Sequence, residues 1–220
     1  MTETQVKIEA TEGESGETLI KIEAPVPASL VNISLDLQPG AVILLGANSV
    51  VKDCQFSLAR KAKLIIGAEA DLSGASFSVS RKNARLEIGK FSEFNKDSRV
   101  FCDKSILIGD FALVSSGVFI TDSEGHSPNA EDREREAIAK RQNKELDGKN
   151  VRSVSLIIES HCFLGMDSRI LPPSDKDEHK MVVARATKLG TNAVLNTSIY
   201  EPGSTWVGLP ARQTASNFPR

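Results

Sequence analysis

The chain has 220 residues, of which 40% are apolar and 25% are charged, a composition typical of a soluble globular protein with one sizeable core. Its 27 basic and 29 acidic residues leave a net charge of −2, which argues against nucleic-acid binding because such proteins carry a concentrated basic face. Apolar runs such as Ala41 to Leu45 are too short for a membrane span, which needs about 20 apolar residues.

Residues 1–40 are predicted to form a short β cap at the start of the fold. Val6 to Ala10 and Ile20 to Ala24 alternate apolar and charged residues, a pattern typical of short strands. Neither segment shares the six-residue repeat that begins after them. Repeat folds need end caps with a polar outer face, and this segment suits that purpose.

Two further features concern the cellular compartment. Met1 to Gln5 lack the basic start and apolar stretch of a secretory signal. The three cysteines, Cys54, Cys102 and Cys162, are scattered and include no CxxC pair. We therefore expect a cytoplasmic protein whose thiols are reduced and buried.

From residue 41 onwards, large apolar residues recur at every sixth position. The clearest series are Ile88, Phe94, Val100 and Ile106, then Ile108, Val114 and Ile120, then Ile158, Leu164 and Ile170, then Leu189 and Leu195 with Val207. A helix would repeat at 3.6 residues and a single strand at 2, so a period of six indicates flat sides that each send one side chain inward. The alternative, a β-sandwich, would place strands every 8–12 residues.

Aliphatic-glycine pairs give the length of one complete turn. The glycines of the first four pairs, Gly46, Gly67, Gly89 and Gly109, are separated by 21, 22 and 20 residues. This spacing fits three six-residue sides with a few extra residues at the corners. We therefore predict an all-β fold, a left-handed parallel β-helix in which each coil buries its inner face against its neighbours.

The repeat is predicted to occupy residues 41–208 of a single domain, with two interruptions. The first spans residues 127–153, where Glu131 to Asn150 is highly charged and predicts an excursion loop with one or two exposed helical turns. A plain solvated segment is the alternative, although loops longer than about 15 residues are usually functional or disordered. The second interruption spans residues 172–181, and residues 209–220 form a tail.

Three segments resemble the hexapeptide-repeat acyltransferases, in particular their sugar and polysaccharide O-acetyltransferase branch. Ile157 to Leu171 is similar to the family's "IGxxxWIGxxxxIL" coil, and Val194 to Arg212 is similar to its closing "VxxPxxxVxGxPAR" signature. Phe119 to Pro128 resembles the segment that carries the catalytic histidine. The resemblance covers about residues 85–212. It implies acetyl-CoA as co-substrate, a carbohydrate acceptor, and sites between the subunits of a homotrimer.

His126 is the candidate general base. Acetyl transfer from a thioester to a hydroxyl needs a group that removes the hydroxyl proton, and imidazole, with an unperturbed pKa of about 6.5, suits this purpose. A carboxylate that binds the other ring nitrogen would hold the ring in one tautomer. Asp122 and Glu124 are the nearby candidates, and either could instead cap a turn. The spacing from Asp122 to His126 is longer than in the family's common form.

The resemblance also implies a set of cofactor-binding residues. Phe163 replaces the tryptophan that flanks the cofactor in many relatives, and Trp206 could stack on adenine or plug the last coil. Contacts to the pantetheine arm are expected from Gly165, Ala184 and Gly208, phosphate contacts from Arg185, Lys188 and Arg212, and the closing signature adds Pro210 and Ala211. No metal is expected, because a catalytic zinc takes three protein ligands and the three histidines do not supply them.

Two other functions use the same features differently. N-acylation of an amino sugar or of a small xenobiotic would need the same donor and the same base. A non-catalytic β-helix scaffold would need neither His126 nor the closing signature, and the presence of both argues against it. A fold alone does not imply a function.

Overall fold

The computed structural model describes residues 5–13, 18–23, 27–142 and 151–216, and the parts of the predicted cap, first loop and tail that fall elsewhere lie outside the described residues. The described chain is a three-sided parallel β-solenoid of about 8 turns. The prediction of a parallel β-helix built from short sides is confirmed.

Each coil contributes one strand to each of three sheets, named side 1, side 2 and side 3 in the order in which the chain meets them. Side 1 contains β3 (Ser29–Val31), β6 (Val50–Lys52), β9 (Asp71–Ser73), β12 (Glu93–Phe94), β15 (Leu113–Val114), β18 (Phe163–Leu164), β21 (Lys188–Leu189) and β23 (Ser204–Gly208). Side 2 contains β4 (Ser34–Leu37), β7 (Gln55–Leu58), β10 (Ser76–Val79), β13 (Arg99–Cys102), β16 (Phe119–Thr121), β19 (Arg169–Ile170) and β22 (Val194–Leu195). Side 3 contains β5 (Val42–Leu45), β8 (Lys63–Ile66), β11 (Arg85–Ile88), β14 (Ser105–Ile108), β17 (Ser155–Ile158) and β20 (Lys180–Val183).

Antiparallel strands extend one side of the stack at each of its ends. At the start, β1 (Val6–Glu12) and β2 (Thr18–Glu23) form a hairpin, and β1 pairs with β5 at the edge of side 3. At the other end, β24 (Ala211–Ser216) pairs with β23. Each end strand thus covers the edge of one side only, side 3 at the start and side 1 at the other end. The coils begin at β3, before the predicted boundary at residue 41, so the cap is shorter than expected.

The six-residue series form the core. Successive coils align them in register, so that Phe56, Phe77, Val100, Ile120, Ile170 and Leu195 stack along side 2. Burial of each such side chain contributes about 1.5–3 kcal/mol. The series fails at its last member, since Val207 is 40% exposed. Trp206 aligns with Leu189 instead, because β23 enters the last coil one position earlier than the repeat predicts.

The corner that leads from side 3 to side 1, called the 3–1 corner, explains the repeating glycines. A Cβ atom on Gly67 would lie 2.5 Å from the backbone nitrogen of Lys90 in the next coil, and one on Gly109 would lie 2.6 Å from that of Ser160. The coils therefore approach too closely here for any side chain. The spacing of about 20 residues is the spacing between these close contacts.

Both interruptions leave the solenoid at the corner from side 2 to side 3, called the 2–3 corner. The first lies between β16 and β17 and contains α1 (Ala130–Arg141), and the second lies between β19 and β20. The 12-residue helix is longer than the one or two turns predicted. None of the helices described in the structure is long and apolar enough to cross a membrane.

Candidate active site

The segment that carries His126 begins with a buried anchor, Asp122. One of its carboxylate oxygens accepts the N–H of Asp103 at 2.7 Å, and the other accepts those of Lys104 and Ser105, both at 2.8 Å. These three donors form the 2–3 corner of the preceding coil. Burial raises the pKa of the Asp122 carboxyl, and the three hydrogen bonds oppose that shift. Asp122 thus joins the excursion to the solenoid, and both of its oxygens are occupied.

The chain after Asp122 is closed by a small polar network. The Ser123 hydroxyl donates to the Asp103 carboxylate at 2.7 Å and accepts the N–H of Gly125 at 3.1 Å. Ser123 also pairs with Ser153 at the far end of the excursion. The two ends of the loop are therefore held together at the surface of the solenoid, close to His126.

Helix α1 folds back onto the same segment. Its N-terminus is capped by Asn129, whose side-chain oxygen accepts the N–H of Glu131 at 2.9 Å. The Ser127 hydroxyl donates to the Asp132 carboxylate at 2.9 Å, and the Arg133 guanidinium donates to the Ser127 carbonyl at 3.0 Å. The first helical turn is thus fastened to the residue that follows His126.

This arrangement brings Glu136 to His126. The Nδ1 atom of the imidazole lies 3.1 Å from Oε2 of Glu136, one turn into α1 from its fastened end. The His126 side chain is 76% exposed, whereas Glu136 is largely covered. Within the described ranges, Nε2 of the ring has no hydrogen-bond partner. The carboxylate of Glu136 thus contacts Nδ1 and leaves Nε2 exposed to a ligand, which is the arrangement that a general base needs.

Glu136 was missing from the predicted site, and the two carboxylates predicted there lie elsewhere. Asp122 binds the backbone of the 2–3 corner, and Glu124 lies 3.5 Å from the Arg152 guanidinium. Arg152 in turn donates to the carbonyls of Pro173 and Glu178, both at 2.8 Å, and joins the two excursions. The sequence signal for Glu136 was the charged run that forms α1, but no spacing rule links it to His126.

The predicted cofactor residues lie on the last coils, away from His126. Phe163 and Lys188 are exposed neighbours in register on side 1, with Arg185 at the adjoining 3–1 corner and Gly165 at the start of the next corner. His126 lies at the 2–3 corner, which is the corner opposite side 1 in a three-sided coil. Within one chain, the structure does not bring the base and these residues together.

Two of the backbone N–H groups expected to contact the pantetheine arm already form hydrogen bonds within the fold. The N–H of Gly165 donates to the Leu189 carbonyl at 2.7 Å, and that of Ala184 donates to the Ile199 carbonyl at 2.9 Å. Both amides thus belong to the coil ladder. The side chains of Arg185 and Lys188 are exposed and make no ion pair with any described carboxylate, so they are open to phosphate groups.

The closing signature forms the turn between β23 and β24. Trp206 packs against the core and donates from its indole N–H to the Ser204 hydroxyl at 2.9 Å. This position favours the predicted plug over the adenine platform. Gly208 and Pro210 are exposed in the turn, Ala211 is buried, and Arg212 donates to the Ala211 carbonyl at 3.1 Å.

The other two histidines have separate environments. His161 lies at the 3–1 corner and stacks on Phe111, with ring centroids 5.0 Å apart. His179 is exposed at the end of the second excursion. In the part of the chain that the structure covers, no three His, Cys, Asp or Glu side chains are grouped so that they could hold a metal ion.

Comparisons with known proteins give the fold. No protein-family profile matches the chain, and no curated protein sequence matches it. The solved structure of the polySia-specific acetyltransferase NeuO matches with a TM-score of 0.50 at 15% identity, over 89% of this chain and 83% of that one. At this identity the match shows a shared β-solenoid fold.

Two further solved structures are similar to the chain. A mutant of AntD, an N-acyltransferase from Bacillus cereus, in complex with dTDP and coenzyme A, has a TM-score of 0.49 at 16% identity, covering 87% of this chain and 83% of that one. The hexapeptide-repeat-containing acetyltransferase VCA0836 from Vibrio cholerae has a TM-score of 0.47 at 16% identity, covering 76% and 71%.

Proposed function

We propose that the protein is an acetyl-CoA-dependent O-acetyltransferase that transfers the acetyl group directly to a sugar hydroxyl. The observation that carries the proposal is the pair formed by His126 and Glu136, because it leaves one imidazole nitrogen free at an exposed corner. The sequence resemblance to sugar O-acetyltransferases and the fold shared with NeuO support the same reaction class.

The proposed reaction needs one proton acceptor and no covalent enzyme intermediate. Glu136 accepts the Nδ1–H of His126, so that Nε2 presents its lone pair to the acceptor hydroxyl. The hydroxyl oxygen forms a bond to the thioester carbonyl carbon while its proton passes to Nε2. The carbon–sulfur bond then breaks, and the imidazolium returns the proton to the departing thiolate. The products are an acetyl ester and free coenzyme A.

The site requires a second copy of the chain, and we propose a homotrimer. His126 and the cofactor candidates on side 1 lie across the solenoid from each other, so a neighbour must supply one of the two groups. Phe91 and Phe111 support a subunit contact, because both are 49% exposed and stack with centroids 5.1 Å apart at the 3–1 corner. Exposed apolar patches commonly mark protein interfaces, and cyclic oligomers are common among such assemblies.

The first test is thermal unfolding with and without acetyl-CoA, which needs no knowledge of the acceptor. A ligand at 100 times its dissociation constant adds about 2.7 kcal/mol to the folded state, which corresponds to a rise in Tm of about 5–10 °C. A double variant, Arg185→Glu with Lys188→Glu, is expected to lose most of this shift. An unchanged Tm at millimolar acetyl-CoA would contradict the proposed donor.

The second test is the His126→Ala variant, assayed by release of the coenzyme A thiol in the presence of a panel of sugars. General bases contribute about 10²- to 10⁴-fold to a rate, so transfer should fall by that factor while Tm stays nearly constant. His179→Ala is the matched control, because His179 is also exposed on an excursion, and it should retain full activity. Full transfer by His126→Ala would exclude the proposed base.

A further inference from the structure

A second surface, remote from the proposed cofactor residues, has the properties of a ligand site. It is an open groove of about 1050 Å³ that runs across the early coils, along side 2 and the corner from side 1 to side 2. We call it the side-2 groove. Its charged and aromatic lining residues are Lys52, Lys96, Arg99, Asp53, Asp97 and Phe101. The mechanism proposed above uses none of these residues.

The three cations of the side-2 groove have no carboxylate partner among the residues that the structure describes. Lys52, Lys96 and Arg99 are all exposed, and none makes an ion pair with a described residue. Lys52 and Lys96 lie two coil steps apart, with one coil between them, and neighbouring strands lie about 4.8 Å apart, so the two ammonium groups start from backbone positions about 10 Å apart. Lys96 and Arg99 belong to one coil and Lys52 to the coil two steps before it, so the cations are spread over about 10 Å, which suits an extended anionic chain better than a compact anion.

The rest of the lining favours a glycan over a nucleic acid. Asp53 and Asp97 lie among the cations, and Gln55 and Ser76 add an amide and a hydroxyl. Duplex DNA carries one negative charge for about every 1.7 Å of its axis and would meet both carboxylates. A carbohydrate with one carboxylate per sugar has sparser charge, and its hydroxyls can donate to Asp53 and Asp97.

Phe101 supplies an apolar contact and connects the groove to the proposed site. Its side chain is 38% exposed, and it packs against Phe119 in the next coil with ring centroids 5.5 Å apart. Phe119 begins β16, the strand that ends at Thr121 shortly before His126. A chain bound in the groove would therefore run towards the coil that carries the proposed base.

We propose that the side-2 groove binds a linear, carboxylate-bearing glycan that lies across successive coils. The binding itself stands apart from the transferase reaction. Only the inference that the bound glycan is the acyl acceptor rests on the proposed function. The recognition combines three charge contacts, hydroxyl-binding groups between them, and one aromatic edge.

The test is direct binding to the full chain, measured by titration calorimetry without acetyl-CoA. The probes are oligogalacturonate and oligosialate, with neutral dextran for comparison. Both acidic probes are expected to bind more tightly than dextran, and added salt should weaken them. The double variant Lys96→Gln with Arg99→Gln should weaken binding about tenfold, since each exposed charge contact contributes modestly.

A matched double variant, Lys61→Gln with Lys82→Gln, removes two exposed charges from the 2–3 corner, at the opposite edge of side 2. It should bind the acidic probes as the original chain does. Equal loss in both double variants, no binding of either acidic probe, or tighter binding of a single-stranded DNA of equal charge would overturn the proposal. If the original chain binds the acidic probes but transfers no acetyl group to any sugar, only the proposed function is contradicted.

Discussion

Two corners of the same coil differ in what they allow. At the 3–1 corner, coils pack so closely that a Cβ atom on Gly67 or Gly109 would meet the backbone of the next coil within 2.6 Å. At the 2–3 corner the chain leaves the solenoid twice, after β16 and after β19. A Cβ atom on Gly125, which lies on the first excursion, would meet nothing within 4 Å.

This difference distinguishes the tightly packed corner of the coil from the corner that carries the candidate base. At the 3–1 corner the backbone groups form hydrogen bonds to the neighbouring coils, and the glycines leave no space for a side chain. The 2–3 corner holds the buried carboxylate of Asp122, the capped helix α1 and the pair formed by His126 and Glu136. Catalytic side chains commonly lie on loops that a rigid scaffold positions, and here one edge of the solenoid supplies both the scaffold and the loop.

The largest effect is expected from closing the space at the 3–1 corner. Gly67→Ala would place a methyl group 2.5 Å from the Lys90 backbone nitrogen, and backbone cannot move as a flexible side chain does. Overpacking of this kind costs about 3 kcal/mol in the free energy of unfolding. Chemical denaturation should show it. Gly125→Ala is the control and should cost only about 1 kcal/mol, from its positive φ of 76°. Equal losses would show that the two corners do not differ.

At the 2–3 corner, the residue whose loss should lower the stability is Asp122. Asp122→Ala leaves the N–H groups of Asp103, Lys104 and Ser105 without their acceptor, and we expect a loss of about 2–3 kcal/mol in the free energy of unfolding. Asp122→Asn should lose less, because the amide oxygen still accepts while its NH₂ group faces donors. Denaturant titration measures both.

The pH dependence of that loss has a definite sign. Because burial raises the pKa of Asp122 in the folded state, the folded chain binds this proton more tightly than the unfolded chain does. Its contribution to the free energy of unfolding therefore falls as the pH rises above 3.8, the ordinary value for this carboxyl. The stability difference between the original chain and Asp122→Ala should grow as the pH is lowered from 7 towards 4. A difference that shrinks on acidification would contradict the assigned shift.

The fold was predictable because its signal is local and repeated. Ile88, Phe94, Val100 and Ile106 all point inward as their spacing of six predicts. The repeat gave no information on where a coil ends, so it assigned Val207 to the core in place of Trp206. Helix α1 was underestimated because it is polar on all sides and leaves no apolar period to detect.

For the candidate site, the sequence could propose single residues but not how the fold brings them together. His126 could be proposed from its segment, but the choice of its acid depends on α1 folding back, which no spacing in the sequence specifies. Asp122, four residues before His126, is instead an anchor, since the preceding coil offers three N–H donors. The separation between His126 and side 1 results from the three-sided cross-section of the solenoid, and no sequence motif predicts it.

A smaller effect is expected from replacing Glu136, which we propose orients the candidate base His126. Glu136→Gln keeps the size of the side chain but can no longer stabilise an imidazolium, so transfer should fall about tenfold, or about 1.4 kcal/mol in the barrier. The exposed position of the pair predicts a change in stability below about 0.5 kcal/mol. Glu134→Gln, on the same helix, is the control, and an equal loss in it would remove the special role of Glu136.

The smallest expected effect is a difference in thiol reactivity between Cys102 and Cys162, which lie near the two corners. Burial raises the pKa of the Cys162 thiol, next to the 3–1 corner, to about 11, and it raises that of Cys102, whose Sγ lies 3.7 Å from the Asp122 carboxylate. Neither thiolate should therefore form at pH 8, and iodoacetamide should label neither in the folded chain. In Asp122→Ala the 2–3 corner loses its anchor, so local opening should expose Cys102 several-fold faster than Cys162. Mass spectrometry of labelled peptides measures both rates, and equal acceleration would mean that the whole solenoid opens as one unit.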